Sequence, residues 1–272
     1  MSNSYRLAVF GDPVAHSLSP WIHRHFAAQC GLSVDYRAQQ VAAADLPAAL
    51  SDFAAAGGDG LNLTVPHKQS AMNLCASLSE RALFAGAVNT LLREASGWRG
   101  DNTDGAGLLW DLHDNLNWLS CAPRVVVIGA GGAAAGALAA LAQCHYQGTL
   151  MVASRSPAPA TALAARYPQQ VAAVALEHLG LNRGDLIINA TSCGHQGQCP
   201  DLPAPPLDGR AYDLNYGAAA QPFLDWARAG SLDAVDGLGM LVGQAGEAFE
   251  LWTGQRPDVA ATLRELSRRR TV

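Results

Sequence analysis

No acidic residue occurs between Asp114 and Glu177 of this chain. From Val125 to Ser154 lysine and arginine are absent as well. Charged residues make up only 15% of the whole against 49% hydrophobic, which argues against a disordered chain. The formal net charge is −5 and no extended basic run occurs, so nucleic acid and anionic membrane surfaces are poor partners. The cysteines, at 30, 75, 121, 144, 193 and 199, show no pairing pattern, which argues against a disulfide framework and for a reducing compartment. Cys193, His195 and Cys199 lie close together but lack both C-x-x-C spacing and a fourth ligand, so no metal site is expected there. The apolar run Leu7 to Phe10 is broken at once by Gly11-Asp12-Pro13 and is no secretory leader, so a cytoplasmic protein is expected.

The uncharged stretch from Val125 competes as a membrane span, since Gly132-x-x-x-Gly136 matches a helix-dimer motif. It divides, however, into a β-branched run, a glycine cluster and an alanine-rich run, the order of a buried strand, a turn and a buried helix. A chain of 272 residues leads to an expectation of about two domains. Apolar runs alternate with helical patterns along it, which predicts parallel α/β architecture. Strands are expected at Arg6 to Phe10, Leu61 to Val65, Val125 to Ile128, Thr149 to Ala153, Leu186 to Asn189 and Ala211 to Leu214. A helix is expected to open with Ser19 as N-cap and Pro20 at the first helical position, and to end at Gly31. Another begins near Thr103-Asp104 and runs through Leu108, Leu109 and Leu112. Leu241, Ala245, Ala248 and Trp252 share a helical face near the end.

Gly129-Ala130-Gly131-Gly132-Ala133-Ala134 follows the Val-Val-Val-Ile strand and opens a helix. This is a dinucleotide-binding fingerprint in its required context. The first glycine makes the tight turn, the second lets the backbone approach a pyrophosphate, and Ala134 permits close helix–strand packing. An NAD site places an acidic residue about twenty positions on, for the ribose 2′-hydroxyl. Here the second strand ends in Ser154-Arg155-Ser156, where an arginine and two hydroxyls suit a 2′-phosphate and no carboxylate repels it. NADP is therefore the expected cofactor.

Polar groups in the first part of the chain cluster in short motifs. Ser17 and Ser19 lie in Gly-Asp-Pro-Val-Ala-His-Ser-Leu-Ser-Pro; Asn62, Thr64 and Lys68 in Asn-Leu-Thr-Val-Pro-His-Lys; Asn89 in Ala-Val-Asn-Thr; and Asp104 in Gly-Asp-Asn-Thr-Asp-Gly. Singly, each has a plain reading as cap, turn or surface residue. Together with Ile188 to Ser192, Tyr212 to Tyr216 and Asp236 to Ala245, they resemble the shikimate dehydrogenase family over nearly the whole chain. The resemblance implies an N-terminal α/β substrate domain, residues 1–103 and 238–272, whose C-terminal helices return to it. It also implies a Rossmann-type parallel-sheet NADP domain, residues 104–237, with the active site in the cleft between the two.

By that resemblance Ser17 and Ser19 hold the substrate carboxylate, and Tyr216 adds a phenol hydrogen bond. Thr64, Asn89, Asp104 and Gln244 bind ring hydroxyls. Lys68 and Asp104 form the catalytic pair, with Lys68 exchanging the hydroxyl proton or stabilising charge on oxygen. Gly129, Ala130, Gly131, Gly132, Ala133, Ser154, Arg155, Ser156, Leu214 and Gly237 bind the cofactor, and no metal is needed. The implied reaction is reversible NADPH-dependent reduction of 3-dehydroshikimate to shikimate, on the route to chorismate and the aromatic amino acids. The substrate is a small molecule, and no obligate protein partner is implied. The family's NADP-dependent members often carry a second basic residue after the arginine, where this chain has Pro157. A quinate/shikimate dehydrogenase using NAD and a non-catalytic nucleotide sensor on the same scaffold remain as alternatives.

Overall fold

A computed structural model describes residues 4–144, 146–206 and 208–271. The chain divides into two compact units, Met1–Gly107 with Val242–Val272, and Leu108–Leu241. In chain order the first stretch contains β1 (Ser4–Gly11), α1 (Ser19–Cys30), β2 (Ser33–Gln40), α2 (Leu46–Ala55), β3 (Gly60–Leu63), β4 (Ser77–Leu78), α3 (Glu80–Ala85), β5 (Thr90–Glu94), β6 (Gly97–Asp101) and α4 (Asp104–Leu109). A π-helical stretch, Trp110–Asn115, follows. Then come β7 (Arg124–Ile128), α5 (Gly132–Gln143), β8 (Thr149–Ser154), α6 (Pro157–Ala164), β9 (Val171–Ala175), β10 (Leu186–Asn189), β11 (Arg210–Asp213), α7 (Gln221–Ala229) and β12 (Asp233–Val235), and finally α8 (Leu238–Thr253) and α9 (Val259–Thr271). The chain passes from unit to unit within α4 and again within α8. Among the described residues no helix is long and apolar enough to cross a membrane.

The first unit holds a six-stranded sheet of order β2-β1-β3-β5-β6-β4. It is mixed: β1 runs parallel to β2 and β3, while β5 is antiparallel to both β3 and β6. The antiparallel pairing arises because residues 95–96 allow only a tight hairpin between β5 and β6, and hairpin strands are antiparallel. Strand β3 is buried along its whole length, and its neighbours Phe10, Leu63 and Leu91 pack in one apolar core.

The second unit is a parallel sheet of order β12-β11-β10-β7-β8-β9. This is the doubly wound order, with a switch point between β7 and β10. Val125, Val126 and Val127 are fully buried because β10 and β8 flank β7 and both faces are covered. The alanines of α5 let that helix sit close on the sheet; Ala134 and Leu138 are fully buried. The helix expected to run from Thr103 through Leu112 is α4 followed by the π-helical turn. Within it Asp111 is drawn inward, accepting from the Tyr212 hydroxyl at 2.6 Å and from Asn115 Nδ2 at 2.8 Å.

Asp101, at the end of β6, anchors the first unit's polar interior. Arg81 binds it bidentately at 3.1 and 3.0 Å, and the Ser79 hydroxyl donates to it at 2.7 Å. Asp101 is buried, which works to raise its pKa, but Arg81, Ser79 and the Asn102 N–H outweigh burial and leave the carboxyl below its ordinary value. A depressed carboxyl pKa contributes stability that is present above the unfolded value and lost as pH falls through the folded one. Arg81→Ala is expected to cost roughly 3 kcal/mol at neutral pH, since it strands a buried carboxylate. The difference from wild type should shrink below about pH 4, as Asp101 protonates in both proteins. Urea unfolding of the two proteins across a pH series measures this.

Candidate active site

Lys68 follows β3 on a tightly pinned loop. The Thr64 N–H donates to the Phe10 carbonyl at 2.9 Å, and the Val88 N–H to the Lys68 carbonyl at 2.7 Å. The loop lies so close to the end of β1 that a Cβ on Gly11 would stand 2.2 Å from Thr64 Cγ2, which explains glycine there. The buried His67 ring is held 2.8 Å from the Val41 carbonyl. These bonds fix the backbone on either side of Lys68. Its Nζ then donates to Asp104 Oδ2 at 2.6 Å. Neither side chain is fully enclosed, with 32% and 22% exposure, so the pair is open to a ligand.

Asp104 begins α4, and its N–H is received by Asn102 Oδ1 at 3.1 Å. Asn102 is in turn tied to Asp101 through its own N–H and to the Ala87 carbonyl through Nδ2. Asn89, directly before β5, donates to Asp104 Oδ1 at 2.8 Å and lies 3.4 Å from Gln244 Oε1 on α8. Lys68, Asn89, Asp104 and Gln244 are thus brought together within one unit. Thr64 stands at the head of the same loop. Two members were not assigned a role from sequence. Thr103, fully buried, receives Asn89 Nδ2 at 3.0 Å, and Asn62, quoted only as part of a motif, donates to Thr90 Oγ1 at 3.1 Å. A hydroxyl flanked by Asn102 and Asp104 was the available signal for Thr103.

Ser17 and Ser19 lie at the start of α1, though not as expected. Leu18, in αR geometry, precedes the helix as its N-cap residue, and Ser19 is the first helical residue. The turn closed by the Ser17 N–H on the Val14 carbonyl brings Ser17 Oγ within 3.3 Å of the Ser19 N–H. The first helical N–H, that of Ser19, is thus received by the Ser17 hydroxyl.

In the second unit the expected cofactor residues collect at the carboxyl ends of parallel strands. Gly129 follows β7 with φ of +110°, and a Cβ there would stand 3.1 Å from the Ala190 carbonyl oxygen across the switch point. Gly131 and Gly132, at the N-terminus of α5, face open space, so a pyrophosphate can approach their N–H groups. Ser154 closes β8 and donates to the Ser156 carbonyl, which shapes the turn carrying Arg155. Arg155 is exposed and makes no ion pair among the described residues. Leu214 and Gly237 come together, since a Cβ on Gly237 would lie 2.5 Å from the Leu214 carbonyl oxygen. Between them the buried Asp213 accepts from Asn189 Nδ2 and from the Asn215 N–H, both at 2.8 Å. Burial raises its pKa to about 6 in spite of these donors. Tyr216 belongs to this unit and is partly buried before the turn Gly217–Ala219.

Three family models match the chain: the shikimate dehydrogenase substrate binding domain over residues 9–91, shikimate/quinate 5-dehydrogenase over 114–196, and the shikimate 5′-dehydrogenase C-terminal domain over 237–266. A shikimate dehydrogenase (NADP(+)) of Xanthomonas euvesicatoria pv. vesicatoria is 46% identical, covering 98% of this chain and 97% of its own. Among solved structures, an Ael1 enzyme from Pseudomonas putida superposes with a TM-score of 0.89 at 38% identity, covering 97% of this chain and 98% of its own. Shikimate 5-dehydrogenase from Thermus thermophilus, in complex with NADP(H) and shikimate, superposes with a TM-score of 0.84 at 35% identity, covering 97% and 99%. Similarity of this extent along almost the whole length establishes that the chain belongs to the shikimate dehydrogenase family.

Proposed function

We propose that this chain catalyses the reversible NADP-dependent interconversion of shikimate and 3-dehydroshikimate. The observation that carries the reading is the Lys68–Asp104 pair at 2.6 Å, open to a ligand and surrounded by amide and hydroxyl groups suited to a polyhydroxylated ring. Lys68 is the only lysine in the chain, so no other side-chain amine can take its part. NADP, when bound, supplies the hydride acceptor or donor. In the oxidising direction the C–H bond of the substrate's carbinol carbon breaks with its electron pair, which leaves as hydride. The O–H proton passes to the Lys68 amine, leaving a ketone. Asp104 orients that amine and accepts a second ring hydroxyl. In reverse, the Lys68 ammonium returns the proton to the developing alkoxide.

The residues of the second unit fit the cofactor. Gly131 and Gly132 leave room at a helix N-terminus for pyrophosphate, and Arg155 presents an unengaged guanidinium for the 2′-phosphate. We assign the substrate carboxylate to Ser17 and Ser19, which meet through the Ser19 N–H on Ser17 Oγ at the start of α1, where the helix dipole favours an anion. Thr64, Asn89, Asp104 and Gln244 take the ring hydroxyls, with Tyr216 as a further donor. The domain roles follow, with the unit Met1–Gly107 and Val242–Val272, which holds Asp104, for substrate and Leu108–Leu241 for cofactor.

Absorbance at 340 nm tests the reading, with shikimate and quinate each offered with NADP and with NAD. Shikimate with NADP should give the highest kcat/KM; no turnover of shikimate with either cofactor would refute it. Arg155→Ala should weaken NADP binding by roughly 1–3 kcal/mol, the value of a charged hydrogen bond, and change NAD binding much less. Lys68→Ala should lower kcat about 10²–10⁴-fold with a far smaller change in KM for shikimate. Asp104→Asn should place more of its loss in KM, and the double variant should fall short of the product of the two effects.

A further inference from the structure

Tyr36, on β2, takes no part in the residue roles assigned so far. It is buried with 2% exposure, and its ring stacks on His23 with centroids 4.3 Å apart and planes within 9°. Phe26, Phe249 and Trp252 enclose the same histidine, so the position of the phenol is fixed by packing. Burial lowers His23 to about 3, against a smaller opposing pull from Asn62, and the ring stays neutral at working pH. The Tyr36 hydroxyl donates to Asn62 Oδ1 at 2.7 Å. Burial pushes the phenol pKa well up, and the Ser19 hydroxyl, acting on the same oxygen, opposes this.

Backbone groups fix the directions in which the Asn62 and Asn89 amides face. A backbone carbonyl can only accept, and Asn62 Nδ2 lies 3.2 Å from the carbonyl of Asn89, so Asn62 must present its amide nitrogen there. Its oxygen therefore faces Tyr36 and needs that donor. Thr90 Oγ1 accepts from Asn62 at 3.1 Å and donates to Asn89 Oδ1 at 2.9 Å, the shorter of its contacts with Asn89 Oδ1 and Thr103 Oγ1. The Thr103 N–H donates to the same oxygen at 2.8 Å. Asn89 is thus held with its nitrogen toward Asp104, and Asp104 with one oxygen left for Lys68. Donation runs one way from Tyr36 through Asn62, Thr90 and Asn89 to the carboxylate.

We propose that Tyr36 is a positioning residue for the reaction, whose phenol proton satisfies Asn62 Oδ1 and so holds the amide that, through Thr90 and Asn89, supports the placing of Asp104 and Lys68. This rests on the reading that Lys68 and Asp104 act on shikimate. Without the phenol, Asn62 Oδ1 is a buried acceptor with no donor. Turning the amide over would set two oxygens against each other at the Asn89 carbonyl. The amide must then shift to find another donor, and Thr90 and Asn89, which bond to it in front of Asp104, shift with it.

Tyr36→Phe keeps the ring and its stacking and removes only the hydroxyl. Steady-state kinetics should show kcat/KM for shikimate reduced roughly ten- to hundredfold, the scale of a small misplacement at a reacting group. NADPH binding, followed by fluorescence titration, should stay within about twofold of wild type. A merely structural role would lower the unfolding midpoint and leave the kinetics of the folded fraction unchanged. Added to Asn62→Ala, Tyr36→Phe should cost no further activity, because the path it feeds is already cut. Thr90→Val, nearly isosteric, breaks the same path closer to Asp104 and should show the same split between shikimate and NADPH; it carries the test if Tyr36→Phe does not fold. The inference is overturned if either folded variant keeps kcat/KM for shikimate within about twofold of wild type, or if the Tyr36 and Asn62 losses multiply. A wild type inert toward shikimate would overturn the functional reading and this inference together.

Discussion

The bond from Lys68 to Asp104 is the interaction on which the rest of the site depends. An ammonium and a carboxylate at 2.6 Å, each partly exposed, would at an ordinary surface contribute little and sample many geometries. Here both partners are constrained from behind. The Lys68 backbone is bonded to Val88, and Asp104 is bonded through its own N–H to Asn102 and through Oδ1 to Asn89. Asn102 in turn hangs on Asp101, whose charge is neutralised by Arg81. The ion pair is the visible end of a polar interior whose members are satisfied in one arrangement, and such interiors specify geometry more than they add stability.

The second unit solves a different problem with different means. A dinucleotide needs backbone N–H groups and room, so the chain supplies strand ends, glycines and a helix N-terminus in place of an ordered side-chain network. Gly129 turns sharply at φ of +110° against the Ala190 carbonyl, and Gly237 lies against Leu214 where any side chain would collide. Arg155, exposed and without an ion pair among the described residues, is the side chain to which the proposed function gives the choice between cofactors.

Much of this was legible in the sequence, for identifiable reasons. Strand β10 has the bounds read from its apolar run, and β7 begins one residue early, because strands buried on both faces are written as unbroken runs. The glycine loop was legible because its requirement is local. Strand β2 was not: it is an edge strand, mostly exposed apart from Tyr36, and Asp35, Arg37, Gln39 and Gln40 give it no apolar pattern. The same obscurity hid Tyr36 itself, whose partner Asn62 lies 26 residues away on another strand. Ser19 followed by Pro20 reads as a cap before a helix, yet the preceding turn makes Leu18 the N-cap residue and leaves Ser19 inside the helix. The burial of Asp111 was not legible either, since one of its donors, the Tyr212 hydroxyl, lies 101 positions on.

In the proposed mechanism Lys68 passes a proton and does not only hold a positive charge near oxygen. Arginine keeps the charge but does not release its proton in the working pH range. Pre-steady-state absorbance at 340 nm, on Lys68→Arg saturated with shikimate and NADP, measures the hydride step that accompanies proton transfer. A rate as depressed as that of Lys68→Ala is expected. A Lys68→Arg rate close to wild type would contradict the mechanism and leave Lys68 as an electrostatic group alone.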